Sequence, residues 1–537
     1  MVKDFDNKFV LPVFVHCDDY ETGNVLGSHA GDNKLGALYC RIACLPPKYA
    51  SSIRHILLML LFRSDHRKVF GNRAIFNPVI EEFNYLREHG LDINGEKVYI
   101  QLVLVLGDNL GLNSILGFTE SFIAKFWCRI CKADKSMMKL MLVEDRELLR
   151  TVENYEKDLE SNDISQTGIK DICIWNEVKG VHITKNVGVD EMHDIPEGTA
   201  KYVMTDILDY LIFDPKTKYF TLEVLNYRIQ VFNYGLLESS NKPPLISKKT
   251  ASNVKIKMSS SEMSCFVRYF GLMIGDLVPK TDIVWKLYLK LRKILVITQS
   301  PKILKSTHYV LKQLVKEHHT MYCKIFKTHL KPKFHILLHY DSFLQNQVPT
   351  SSYSSLRFES KHKASKSAAN VSCSKLNVPK TLAIKHQLQL AHFIEDGNHA
   401  QDFTIGPIVP NHRFSVLFYK LYFPTNKCVN EIDCVKWVNI NGTNYTSETI
   451  VVTKIDSELP TFAKIVSVFI IKETVQFLLL ELKSTRLEEH FDAFEVDAKP
   501  NSKREFVMSY NDLPCKFPCL LVQKNLQFYV ATRYLLL

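Results

Sequence analysis

The sequence predicts an α/β chain in three parts: a mixed sheet within the first 110 residues, a long helical stretch over 136–345, and a small β-barrel at the C-terminal end. Three observations predict it. Runs rich in Val, Ile, Leu and Phe, bounded by turn residues, fill the first part; helical spacing takes over in the second; and after Gly406-Pro407 and Pro410 the apolar period returns to two. With 537 residues, 46% hydrophobic and 23% charged, the chain can bury a large core and divides into two to four domains. The same figures exclude a disulfide-stapled miniprotein, collagen, a coiled-coil rod and a disordered low-complexity chain.

The elements follow in order. Residues 8–16 (KFVLPVFVH) read as a strand running directly into Asp18 and Asp19. Further strands are expected over Ala37–Ala43 and Ile53–Leu61, and then a helix with Asn77 as N-cap, Pro78 in its first turn, Ile80, Phe83 and Leu86 on one face and Gly90 as its stop. Val98–Leu106 is nearly all apolar, as in a strand buried on both faces, and ends at Gly107-Asp108-Asn109. The order β-β-β-α-β, with acids at the ends of the first and fourth strands, is the ribonuclease-H-like arrangement. In that arrangement the two strands are neighbours and their carboxylates come together. Helices are expected over Glu197–Leu211, Ser261–Leu277, Asp282–Val296 and Pro301–Lys316, forming an all-helical insertion with little strand signal. Strands then return near Phe414–Tyr422, around an Asn441-Gly442 hairpin, and over Lys464–Ile471, Val475–Leu482 and Gln527–Ala531. The expected division is 1–135 for the first part of the core with its CxxC, 136–345 for the insertion, 346–405 for a helix completing the core, and 412–537 for a separate barrel.

Lys and Arg number 68 against 57 Asp and Glu, a net charge of +11 that suits a polyanionic partner. The N-terminus is charged where a signal peptide would be apolar, and the apolar stretches are short or broken by charges such as Lys472 and Glu473, so a soluble intracellular protein without a membrane span is expected. Thirteen cysteines, an odd number, read as reduced thiols plus a metal site rather than a disulfide framework. No phosphate loop, GxSxG elbow or internal repeat is present.

Cys128-Arg-Ile-Cys131 has the spacing of half a zinc site, although two buried thiols would read the same way. In Lys-Pro-Lys-Phe-His335-Ile-Leu-Leu-His339, Pro332 can open a helix that places the two imidazoles one turn apart on one face, where they suit Zn²⁺ or merely line a core. Farther on, Glu359, His362, Lys363 and Lys366 fall at i, i+3, i+4 and i+7 of a helix-like run. An acid followed by positive charge suits a metal ligand acting on a phosphodiester, or a solvated helix face.

Several strings resemble the transposases of the CACTA/Mirage/Chapaev group of cut-and-paste DNA elements: HCDDYETGNVLGSHAGDNKLGALY (16–39), GDNLGLNSILGFTESF (107–122), CRIC (128–131), VDEMHDIPEG (189–198), LKPKFHILLHY (330–340) and LRFESKH (356–362). They span 16 to about 395. The resemblance implies a ribonuclease-H-like core with an Asp, Asp, Glu triad and an insertion. Related Transib transposases and the V(D)J recombinase catalytic subunit place a CxxC after the second Asp and a His pair before the Glu, together binding zinc. Here Cys128 lies 20 residues after Asp108 and Glu359 lies 20 after His339, so this order is met.

Carried over, the resemblance implies the catalytic acids Asp18, with Asp19 as rival, Asp108 and Glu359, using Mg²⁺ or Mn²⁺. It implies structural Zn²⁺ on Cys128, Cys131, His335 and His339, and DNA contacts from Arg357, Lys361, His362, Lys363 and Lys366. The implied activity is DNA cleavage and strand transfer in the nucleus by a homo-oligomer. Met192-His193-Asp194 with Glu197 is a rival metal cluster, but Asp194 and Pro196 resemble a helix start that would leave His193 outside the helix. The core strand begins within ten residues of Met1, where such transposases commonly carry a terminal-repeat recognition module, so that module is expected to be missing, to lie in another chain or exon, or to be replaced by the C-terminal barrel; a truncated or host-adopted copy, a nuclear DNA- or chromatin-binding protein that no longer cuts, is also expected to fit. A third reading makes the barrel the working part, with an aromatic cage from residues such as Trp437 and Tyr445.

Overall fold

The computed structural model describes residues 5, 8–23, 34–50, 52–372, 376–396, 403–409, 432–456, 459–471, 473–498 and 504–537. The chain forms two compact units, Met1–Ile195 with His308–Ala400 and Pro196–Thr307 with Gln401–Leu537. Among the described residues no helix is long and apolar enough to cross a membrane, and the cysteines are free.

The first unit is built on a five-stranded mixed sheet of β1 (Phe9–Glu21), β2 (Lys34–Ile42), β3 (Leu57–Arg63), β4 (Leu91–Ile93) and β5 (Glu96–Leu106), in the order β3-β2-β1-β5-β4. The first and last long strands are parallel neighbours, as the run of elements predicts, and the remaining pairs are antiparallel. Within the β1/β5 ladder the register shifts by one residue between Val13 and Phe14: Val13 pairs with Leu102, but Phe14 pairs with Leu104. The skipped Val103 offers its carbonyl to the Asn186 side-chain amide at 2.9 Å. β1 also runs on past its expected end, because β2 continues to pair with it through Asp18↔Ala37 and Asp19↔Gly36. The two aspartates are therefore inside β1 and overhang only β5.

The helix expected to start at Asn77 and Pro78 begins instead at Ser64 and kinks at Gly71 (φ 80°, ψ 168°), so Pro78 lies inside it. Tertiary contacts hold the extra turns. Asn72 donates to the Ser114 carbonyl at 2.9 Å, and Phe76 is fully buried against Phe62 and Trp175. Asn77 donates to Glu81 rather than capping. Gly90, at φ 66°, ends the helix as expected.

In the second unit, helices Lys201–Phe213, Ser260–Ile274 and Ile283–Gln299 sit close to their expected ranges, and a further helix forms over Leu222–Val231. Residues 301–306 are not helical; the next helix, Thr307–Phe326, belongs to the first unit from His308 on. A short exposed hairpin, Ser247–Thr250 with Asn253–Lys255, interrupts the helices. The C-terminal strands close a six-stranded barrel in the order Thr474–Glu488, Ala493–Asp497, Gln527–Ala531, Cys515–Lys524, Ile450–Lys454 and Thr461–Ile471, with the last pairing back to the first. The Asn441-Gly442 turn joins Trp437–Ile440 to Thr443–Thr446, both turn residues having positive φ. The strand expected over Phe414–Tyr422 lies outside the described residues.

The barrel does not stand apart from the helices of its unit. The Trp285 indole donates to the His490 carbonyl at 2.9 Å, Arg292 pairs with Asp492, and Lys524 reaches Asp276 at 2.7 Å. The aromatic cage does not form either. Val438 pairs with Tyr445 and Trp437 with Thr446, so Trp437 and Tyr445 point to opposite faces, and Tyr445 is sealed in the barrel core.

Candidate acid site and metal centre

Strand alternation sorts β1 into two faces. His16, Asp18 and Tyr20 share one, and all three meet the helix Ser355–Asn370. His16 Nε2 lies 2.9 Å from Ser355 Oγ and its ring stacks on Phe358 with centroids 4.3 Å apart; Tyr20 stacks on His362 at 4.4 Å; Asp18 Oδ2 lies 3.6 Å from His362 Nδ1. Phe358 and His362, four residues apart, form the seam that fixes this helix on the sheet and brings the neighbouring Glu359 to the acids. Asp19 belongs to the other face, with its carboxylate 3.7 Å from Lys34 and 4.0 Å from Arg67. The structure thus separates the rivals: Asp18 faces the site and Asp19 an ion pair.

Asp108 follows the end of β5, where it caps the helix Asn109–Ile115 by accepting the Gly111 amide hydrogen bond. Burial, and then the charges of Asp108 and Glu359, push the Asp18 carboxyl up to about 8. That mutual repulsion marks the three acids as one electrostatic cluster. A two-ion centre, with ions about 3.5–4 Å apart and each about 2.1 Å from its oxygens, accommodates outer donors about 8 Å apart.

His193 completes the acid cluster, and the sequence reading set it aside. The helix there begins at Glu191 with Asp190 as N-cap, so His193 is inside it, not before it. A π-helical turn over Ile195–Ala200 absorbs Pro196, which with Asp194 resembles a helix start in the sequence. His193 Nδ1 bonds the buried Asp190 and Nε2 lies 3.3 Å from Glu359 Oε1. Burial pulls this imidazole down, but the hydrogen bond and charge of Asp190, with Glu359 and Asp108 beyond, raise it to about 9. The spacing Asp190-x-x-His193 was the available signal.

Of the cations assigned to DNA, Arg357, Lys363 and Lys366 are exposed on the Glu359 helix. Lys361 donates to the Ile53 carbonyl at 3.1 Å. His362 requires a correction: it is buried between Tyr20 and Tyr39 and burial lowers it to about 3, so it is a neutral core imidazole rather than a phosphate contact.

The Cys and His pairs, more than 200 residues apart in sequence, meet in the core of the unit, all four buried. Pro332 opens the helix Pro332–Leu338, which carries His335 and ends at His339. The CxxC turn is held by 148–150: Lys132 donates to the Leu148 carbonyl, Arg150 N to that of Ile130 and Arg150 Nε to that of Cys128. Cys131 Sγ lies 3.3 Å from His335 Nε2, Cys128 Sγ 3.7 Å from His339 Nε2, and the two Nε2 atoms 3.4 Å apart. Tetrahedral zinc, with Zn–S near 2.3 Å and Zn–N near 2.0–2.1 Å, requires about 3.6 Å between S and N and about 3.3 Å between two N. The cluster could therefore bind a metal ion such as zinc. Glu144, which sequence reasoning missed, supports it: Oε1 lies 2.6 Å from His339 Nδ1 and Oε2 accepts from Ser342. This carboxylate fixes the tautomer that presents Nε2 to an ion. No protein-family model and no curated protein matches the chain.

Proposed function

We propose that the first unit is a ribonuclease-H-like nuclease core that cleaves DNA and transfers strands by two-metal-ion chemistry, as in the transposases its motifs resemble. The observation that carries the reading is the gathering of Asp18, Asp108 and Glu359 at one end of the β1/β5 pair from positions far apart in sequence. Carboxylates supply hard oxygen donors for Mg²⁺ or Mn²⁺. One ion would activate water or a 3′-hydroxyl and the other would stabilise the leaving oxygen, so no covalent nucleophile is required. The Cys128/Cys131/His335/His339 cluster would hold a structural zinc, tying the chain after Asp108 to the chain before Glu359. Arg357, Lys363 and Lys366 would neutralise phosphates beside the scissile bond. A homo-oligomer acting in the nucleus belongs to the same reading.

The test is nicking and joining of labelled duplexes, taken from the ends of the genomic element around the coding sequence, by wild type and Asp108→Asn. Cleavage and joining that depend on Mg²⁺ or Mn²⁺ and are lost in the variant support the reading. A wild type that binds these duplexes but neither cuts nor joins them overturns it in favour of a catalytically silent DNA- or chromatin-binding protein.

A further inference from the structure

Asp194 is fully buried and is used by neither the acid cluster nor the metal cluster, yet it touches neighbours of both. Its Oδ1 accepts from the Asn109 side-chain amide at 2.5 Å and lies 3.5 Å from Lys333 Nζ; its Oδ2 accepts from the Tyr340 hydroxyl at 3.1 Å. Asn109 in turn accepts from Arg129 at 2.9 Å, and Arg129 also donates to the Gly188 carbonyl at 3.2 Å. Each partner adjoins a site residue. Asn109 follows Asp108, Arg129 sits between Cys128 and Cys131, Lys333 and Tyr340 flank His335 and His339, and Asp194 follows His193. Arg129, Asn109 and Tyr340 are themselves buried.

A buried carboxylate is tolerated only while donors surround it, and losing one leaves the others unsatisfied. The positions of these donors are therefore set together. From this geometry we infer that Asp194 is a positioning residue that couples the Cys/His metal centre to the acid site, so that the arrangement of the metal centre governs where Asp108 and His193 stand. The coupling gives the metal centre a role beyond holding the fold; it rests on the reading of both clusters as metal sites.

The test uses the full-length, zinc-loaded protein and follows amide hydrogen exchange over 105–116, with zinc content, Mn²⁺ affinity by electron paramagnetic resonance and DNA affinity measured alongside. Asp194→Ala is expected to keep one zinc per chain and the DNA affinity of wild type, while exchange over 105–116 rises about tenfold and Mn²⁺ binding weakens about tenfold. Asp194→Asn, which still accepts from Asn109, falls between the two. Removing zinc from wild type raises exchange over the same peptide. Wild-type exchange over 105–116 in zinc-loaded Asp194→Ala overturns the coupling. Should that variant not fold, Tyr340→Phe removes one donor with little change of shape, and unchanged exchange there overturns it equally. A wild type that binds no Mn²⁺ counts against the two-ion reading instead, and exchange alone then decides the coupling.

Discussion

His193 Nε2 stands 3.3 Å from Glu359 Oε1, with the buried Asp190 on its other nitrogen. This pair ties the helical segment 191–194 to the helix that carries Glu359, and Asp190 strengthens the tie by accepting from the Ser355 amide at 3.4 Å. Replacing His193 by Ala should therefore weaken divalent-metal binding at the acids, because Glu359 loses the neighbour that orients it. Mn²⁺ titration of the folded variant checks this; wild-type affinity would show that Glu359 is held by the seam of Phe358 and His362 alone.

Stability before Mg²⁺ or Mn²⁺ is added should peak near pH 6.5. Burial lowers His16 to about 4, His319 to about 4 and His362 to about 3, so the unfolded chain binds more protons below pH 6.5 and stability is lost on acidification. Asp18, raised to about 8, and His193, raised to about 9, act in the opposite sense: the native state holds their protons longer, and their contributions are lost as pH rises through those values. Above pH 6.5 His339, which burial pulls down but its Cys128 and Glu144 partners raise to about 9, acts in the same sense, and each of these groups contributes a slope of at most about 1.4 kcal/mol per pH unit. Urea midpoints from pH 4 to 9 provide the measurement. Asp18→Asn should flatten the alkaline limb, and a monotonic profile in wild type would contradict the assignment.

Asp108→Asn and Asp108→Ala should separate chemistry from folding. Both remove a proposed metal ligand and should abolish the proposed Mg²⁺-dependent cleavage, but Asn can still cap the helix Asn109–Ile115 and Ala cannot. The Ala variant should be less stable than the Asn variant by about 1 kcal/mol. Equal stability would mean that the cap contributes nothing here.

The metal centre should bind about one zinc per chain, and Glu144→Gln should weaken that binding about 10- to 100-fold through loss of the His339 partner. Competition with a chromophoric chelator measures it. Cleanly purified protein without zinc would remove the metal reading of the cluster altogether.

On the helix that carries Glu359, Arg357→Gln, Lys363→Gln and Lys366→Gln should each lower the slope of log DNA affinity against log salt by about 0.9 if each meets one phosphate. His362→Gln should leave the slope unchanged and cost stability instead, since its ring is stacked in the core.

What was legible in the sequence follows from where its signals are local. Gly90, the Asn441-Gly442 turn and the strand Gln527–Ala531 are dictated by nearby residues, and the structure has them where expected. The CxxC and the His pair were legible as halves, and the order of motifs joined them. The extra turns of Ser64–His89 were not legible, because Asn72 and Phe76 are held by Ser114, Phe62 and Trp175 from elsewhere in the unit. His193 was lost to Pro196, whose ordinary meaning as a helix start is overridden by a π turn. Glu144 carries no spacing signal at all; only the fold brings it to His339. His362 looked like part of a charged stripe because helical spacing gives its neighbours but not which of them the sheet covers.

The one-residue shift in the β1/β5 ladder also sets which of two adjacent aspartates stands level with Asp108. Before the shift the partners differ by 89 in number, as Val13 and Leu102 do; after it they differ by 90, as His16 and Leu106 do. Continued two residues beyond the last pair, an offset of 90 sets Asp18 level with Asp108, whereas an offset of 89 would have set Asp19 there. Which aspartate stands level with Asp108 is thus written in backbone length rather than in the aspartates themselves. Val103 is the extra residue, so deleting it would leave Val13 with Leu102 and Phe14 with Leu104 and would keep Asp18 level with Asp108; a count of acidic residues carries no trace of that register.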